Sequence, residues 1–183
     1  MSIFRNKKIF FFDGDGTIWY PKETKRTKAP YWVYGDTNSA EINTSGIEKL
    51  VVSDTTFETL KELNQKGVKL ILLSTHPHEP EIAQQVLHMK LAHLGLLNIF
   101  YECLATDGRP EAKGEEILKF LKKYKLPKTQ ALMIGDSYSY DYLSAKKVGV
   151  DVVLLKSDYL KHPPRGPRVK KLIDEIRDVI GFC

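Results

Sequence analysis

The chain has 183 residues, enough for one domain with a substantial core and too few for two. Apolar residues at 42%, charged residues at 28% and a net charge of +5 describe an ordinary, mildly basic soluble globule; the charge admits anionic substrates, although a Lys-rich solvated surface is the default reading. Cys103 and Cys183 follow no motif spacing, which excludes a disulfide framework or zinc site and fits a reducing cytoplasmic setting, and no stretch reads as a signal segment or membrane span.

In chain order, the first predicted element is IFFF at 9–12, an apolar run of the kind found in strands buried on both faces. It leads into DGDGT, where Asp13 and Asp15 stand two positions apart and are loosened by Gly14 and Gly16. From about 19 to 53 the chain is polar and dotted with aromatics, without helical period, and reads as a short hairpin or flap. Tyr31, Trp32 and Tyr34 there suit either flap core or a substrate platform. After Asp54, Phe57, Leu60 and Leu63 recur at helical spacing and stop at Gly67. VKLILLS is a second strand, and Pro80 to Leu94 a helix with Ile82, Val86 and Met89 on one face. IFYECLA is a third strand, followed by a helix from about Lys113 to Tyr124. ALMIGD, SAKKVGV and DVVLL supply strand, helix and strand, and Pro167 opens a last amphipathic helix carrying Val169, Leu172, Ile173, Ile176 and Val179. Alternating strands and helices predict an α/β class chain, a three-layer α/β/α sandwich around a mostly parallel five-stranded sheet.

In such sheets ligands bind beyond the carboxyl ends of the strands. Asp13 and Asp15 follow the first strand, Ser74 and Thr75 end the second, Lys113 opens a helix after the third, and Asp136 follows the fourth with Asp141 five residues on. An EF-hand fails, because the position needing Gly is Ile18 and the position needing Glu is Thr24. Carboxylates, a hydroxyl and an ammonium at strand ends instead describe a Mg²⁺ site with a phosphate cradle.

At these residues the chain resembles the haloacid dehalogenase-like phosphohydrolases. DGDGT matches the family's DxDxT, LLS its strand ending in Ser or Thr, Lys113 its lysine and GDSYSYD its GDxxxxD, over roughly Lys8 to Leu155. TIW, STHPHE and the short insert look most like the magnesium-dependent phosphatase branch. The resemblance implies that Asp13 attacks phosphorus and forms a phosphoaspartate. Asp15 would protonate the leaving oxygen and later activate water. Mg²⁺ would be held by Asp13, the main-chain carbonyl of Asp15 and Asp136. Ser74 would bind a phosphoryl oxygen, with Thr75 as the alternative hydroxyl, and Lys113 would neutralise charge. Asp141 would stand behind the ligands.

Two choices stay open from sequence. Arg109 precedes Pro110, as the family lysine often precedes a proline, while the apolar register of Leu118, Leu121 and Tyr124 selects Lys113. His76 and His78 read either as an i, i+2 metal pair or as a loop lining the pocket; no third ligand of matching spacing favours the loop. The insert is too short for the helical cap of larger members, which leaves a single capless domain over 1–183. An open site suits a phosphorylated small molecule such as a sugar phosphate, or a phosphoprotein bearing phosphotyrosine. The basic cluster Lys161, Arg165, Arg168, Lys170 and Lys171 raises a polynucleotide end phosphatase as the alternative. A non-catalytic binding scaffold would lack a motif residue, and every motif residue is present.

Overall fold

The structure is a computed structural model that describes residues 6–28, 46–158, 160 and 172–183. Strands β1 (Ile9–Phe12), β2 (Trp19–Pro21), β3 (Leu50–Val52), β4 (Lys69–Thr75), β5 (Glu102–Thr106), β6 (Ala131–Gly135), β7 (Asp151–Leu155) and β8 (Leu172–Ile173) alternate with helices α1 (Thr56–Gln65), α2 (Pro80–His93), α3 (Ala112–Tyr124) and α4 (Ser144–Lys147). β2 and β3 pair antiparallel as the small hairpin expected in the insert. Tyr31, Trp32, Tyr34 and the basic cluster from Lys161 to Lys171 lie outside the described residues.

The main sheet has the order β5-β4-β1-β6-β7-β8, and every pairing in it is parallel. β1 lies between β4 and β6, and all four of its residues are buried, which is why this strand is a continuous apolar run rather than an alternating one. Alternate residues feed opposite faces. Phe10, Phe12, Leu70, Leu72, Leu132 and Ile134 join Leu60, Leu63, Leu87 and Leu91 of α1 and α2. Ile9, Phe11, Ile71, Leu73 and Met133 join Ile117, Phe120 and Leu121 of α3 and Ala145 of α4. Each such large side chain contributes roughly 1.5–3 kcal/mol by burial. The result is the expected three-layer α/β/α sandwich.

The sheet has six strands rather than the expected five. Leu172 and Ile173, read from their spacing as part of a final helix, pair instead with Leu154 and Leu155 of β7. A 3-10 helix, Ile176–Phe182, follows and buries Ile176, Val179 and Phe182. Completing the exposed edge of β7 satisfies backbone groups that a helical start at these residues would leave unpaired. Two helix faces are also turned from their expected phase. Met89 and Leu118 are exposed, while Ala83, Val86, Leu87, Lys90 and Leu91 form the buried stripe of α2, and Ile117, Phe120 and Leu121 that of α3.

From β1 the chain passes to β4 and β5 on one side of the sheet and then to β6 and β7 on the other. That reversal opens a crevice at the carboxyl end of β1. No helix among the described residues is long and apolar enough to cross a membrane.

Candidate active site

The crevice is built on a tight turn after β1. The amide of Asp13 still donates to Ile134 of β6, and the Gly14 carbonyl then accepts from the amides of Thr17, Ile18 and Trp19. Glycine is required at 14 by space, because a Cβ there would sit 2.4 Å from the Trp19 ring and 2.9 Å from Ser74 Oγ. The turn leaves Asp13 and Asp15 facing different neighbours.

Asp13 accepts from Lys113 Nζ at 2.5 Å, and Lys113 also donates to Asp141 Oδ1 at 2.6 Å. Lys113 reaches there from the first turn of α3, with Gly114 beside it packed against Ser144, where a Cβ would lie 2.6 Å from the Ser144 carbonyl oxygen. Asp136 follows β6. The chain then enters a π-helical turn, Tyr138–Leu143, which brings Asp141 back over the strand end. Asp141 Oδ2 accepts from the amides of Asp136 and Ser137 at 3.1 and 2.9 Å, and its other oxygen belongs to Lys113. This carboxylate packs so closely that a Cβ on Gly135 would be 2.1 Å from it.

Carboxylate oxygens of Asp13, Asp136 and Asp141 lie within 4.8 Å of one another, all buried. Three carboxylates against one ammonium leave an excess of two negative charges when all are ionised. The Asp13 carboxyl is accordingly driven well above its ordinary range, first by burial and then by Asp141 and Asp136, with Lys113 pulling the other way. Burial opposes the charge on Lys113, yet Asp13 and Asp141 hold its proton more firmly than usual. Such a pocket fits a small divalent cation, which supplies the missing charge with the oxygen ligands it prefers. Asp141 has both oxygens committed to donors.

Asp15 is held differently. Its Oδ1 accepts from Trp19 Nε1 at 2.9 Å, and its Oδ2 from Lys90 Nζ at 2.6 Å, with Ser74 Oγ at 3.5 Å. Burial works to raise this carboxyl, but Lys90, His76 and the Trp19 hydrogen bond together hold it below the ordinary value. Ser74 therefore stands beside the second acid, whereas the Thr75 hydroxyl is engaged with Thr106 on β5 at 3.2 Å. Arg109 remains at the surface, paired with Asp107 and Glu115 at 2.9 and 3.0 Å. No sequence motif marks Lys90. Its one signal is a lysine within the buried stripe of α2, one residue from the face that Ile82, Val86 and Met89 predict.

Neither His76 nor His78 joins a metal-type cluster among the described residues. His76 is fully buried, and burial pushes its imidazole down to about 4 against the attraction of Asp15. An unfolded chain therefore binds a proton between pH 6.5 and 4 that the folded one refuses, so this contribution is complete above pH 6.5 and disappears as pH falls through 4. The span corresponds to at most about 3 kcal/mol. Urea unfolding of the metal-free protein at pH 7 and pH 4 should show that His76→Gln loses less stability on acidification than the wild type, by up to that amount. Equal losses would mean that His76 titrates normally in the folded chain.

A family model described as haloacid dehalogenase-like hydrolase matches residues 11–155, which contain all of these side chains. Phosphoglycolate phosphatase of Vibrio vulnificus (strain CMCP6) is 36% identical over 96 residues, covering 50% of this chain and 38% of the relative. That of Pseudomonas fluorescens is 33% identical over 129 residues, covering 69% and 45%. The aligned part thus spans less than half the length of these curated relatives. Among solved structures, a HAD phosphatase from Thermococcus onnurineus superposes with a TM-score of 0.68 at 20% identity, covering 95% of this chain and 98% of that one. A haloacid dehalogenase-like family protein from Streptococcus pneumoniae gives 0.64 at 18% identity, covering 97% and 98%. At such identities the two structures speak for the fold.

Proposed function

This chain belongs to the haloacid dehalogenase-like hydrolases, and on that premise we propose that it is a Mg²⁺-dependent phosphomonoester phosphatase working through an aspartyl-phosphate on Asp13. The observation that carries the reading is the pairing at the crevice: a buried Asp13–Lys113–Asp141 chain beside Asp136, with a second acid two residues on. Asp13 would attack phosphorus in line, breaking the bond to the leaving oxygen and forming an acyl phosphate. Asp15 would give its proton to that oxygen, then take one from the water that attacks the phosphoaspartate, releasing inorganic phosphate and restoring Asp13. Ser74 would donate to a phosphoryl oxygen, and Lys113 would offset charge on Asp13 and the transferring group. Asp13, Asp136 and the main-chain carbonyl of Asp15 would hold Mg²⁺, which when bound shields the anionic nucleophile from the anionic substrate.

Relatives that act on phosphoglycolate favour a small phosphorylated substrate over a phosphoprotein or a nucleic-acid end. The 28 residues between β2 and β3 are few for a separate cap domain, which supports an open, capless site within one domain. Hydrolysis of p-nitrophenyl phosphate should vanish in EDTA and return with Mg²⁺, while Ca²⁺ should support it poorly because its larger, looser shell misplaces the nucleophile. Full turnover in EDTA would sink the proposal, and a panel of small phosphorylated acids and sugars, run against a phosphopeptide, reads the substrate class.

A further inference from the structure

Lysine is seldom fully buried, because taking its charge out of water costs several kcal/mol unless a partner offsets it. Among the described residues three lysines are buried: Lys7, Lys90 and Lys113. Lys7 pairs with Asp151 at the start of β7, on the amino side of the sheet and away from the crevice. Lys113 and Lys90 are both at the carboxyl end, one on Asp13 and the other on Asp15. The second of these pairs has no counterpart among the motif residues.

Lys90 is delivered by the last turn and a half of α2, where its stem fills a core position between Leu87 and Leu91 and its ammonium stands 5.7 Å over the Trp19 ring. Its 2.6 Å bond to Asp15 Oδ2 complements the Trp19 bond to Oδ1. The two donors grip the carboxylate at both oxygens, so it cannot rotate about its own axis or swing to another rotamer without breaking a buried bond. Two separate elements, β2 and α2, thereby hold one acid in place. A group that must reach a leaving oxygen and then a water gains from such fixing, since misplacement by about 1 Å can cost on the order of a hundredfold in rate.

We infer that Lys90 is a positioning residue that, with Trp19, orients the Asp15 carboxylate toward the leaving group and the hydrolytic water. The inference rests on the reading of Asp15 as acid and base. Lys90→Met has nearly the same length and leaves Asp15 held by Trp19 at Oδ1, with only the long 3.5 Å contact of Ser74 at Oδ2. Its steady-state kcat for p-nitrophenyl phosphate should fall at least tenfold with KM falling in proportion and kcat/KM nearly unchanged, because transfer to Asp13 is intact and only hydrolysis of the phosphoaspartate slows. In rapid-quench experiments nitrophenolate should still appear as a burst approaching one equivalent, since attack by Asp13 on a substrate with a good leaving group needs no proton. Lys90→Arg keeps the charge but moves the donors, and should fall between Lys90→Met and wild type. On an Asp15→Asn background, Lys90→Met should add no further loss.

A purely structural lysine would lower the melting temperature without this kinetic pattern. Wild-type turnover in folded Lys90→Met, loss of the burst together with the steady state, or losses that multiply with Asp15→Asn would each overturn the inference. Should Lys90→Met not fold, Lys90→Arg decides: a rate several-fold low with an intact burst supports it, and a wild-type rate or a lost burst overturns it. Asp15→Asn by itself separates the two levels. Wild-type turnover in that variant refutes the role of Asp15, whereas an impaired Asp15→Asn beside a normal Lys90→Met refutes only the role of Lys90.

Discussion

Asp13→Asn should be inactive toward every phosphomonoester, while Asp15→Asn should release a burst of nitrophenolate and then nearly stop. The difference follows from what each acid faces. Asp13 lies among Lys113, Asp136 and Asp141, where a nucleophile and its charge partners belong. An amide there cannot form the acyl phosphate, so no substrate escapes the loss. Asp15 sits apart, bonded to Trp19 and Lys90. p-Nitrophenolate departs without a proton, so the first transfer survives in Asp15→Asn, but hydrolysis of the phosphoaspartate lacks its base and stalls. Alkyl phosphates, whose leaving groups need the proton, should give almost no burst. Rapid-quench kinetics on the two substrates, with metal binding measured in parallel, tests the division of labour; a missing nitrophenolate burst in a variant that still binds metal would remove Asp15 from its role.

Lys113→Ala should lower turnover by at least about a hundredfold, a few kcal/mol of transition-state stabilisation. Its ammonium is within hydrogen-bond reach of both Asp13 and Asp141 and is only 3% exposed, so no water or neighbouring cation takes its place easily. Removing it leaves two buried carboxylates facing each other, and stability should fall by roughly 3–5 kcal/mol in the metal-free protein. Circular dichroism under assay conditions distinguishes the kinetic loss from unfolding. Arg109→Ala should be mild in both respects, because a half-exposed guanidinium paired to surface acids is screened by solvent and contributes little. The opposite ranking would exchange the roles of the two cations.

Much of this was legible along the chain. The run Ile9 to Phe12 can be buried only as a central strand, and charges placed directly after it are costly unless a cation meets them, so Asp13 and Asp15 announce a site by position alone. The strand ends at Ser74 and Asp136 follow from the same reasoning. The short hairpin is visible in the polar, turn-rich stretch flanking it.

Other features belong to the tertiary structure. The apolar stripe of a helix is broad, so a few apolar residues fix its phase only to within a residue. That margin puts Met89 on the predicted inner face, whereas the core leaves Met89 exposed and buries Lys90 beside it. Likewise Leu172 and Ile173 fit a helical face by spacing, but the open edge of β7 offered backbone partners that spacing does not record. The partner of Asp15 is 75 residues away on another element, and only folding brings the two together. The sequence by itself determined which residue types stand at the strand ends, because burial periodicity and the cost of unpaired charge are local properties. Which cation meets which acid was decided by the packing of α2 and α3 on opposite faces of the sheet, because a contact between distant segments depends on helix phase and layer, and neither is written in any single stretch of the chain.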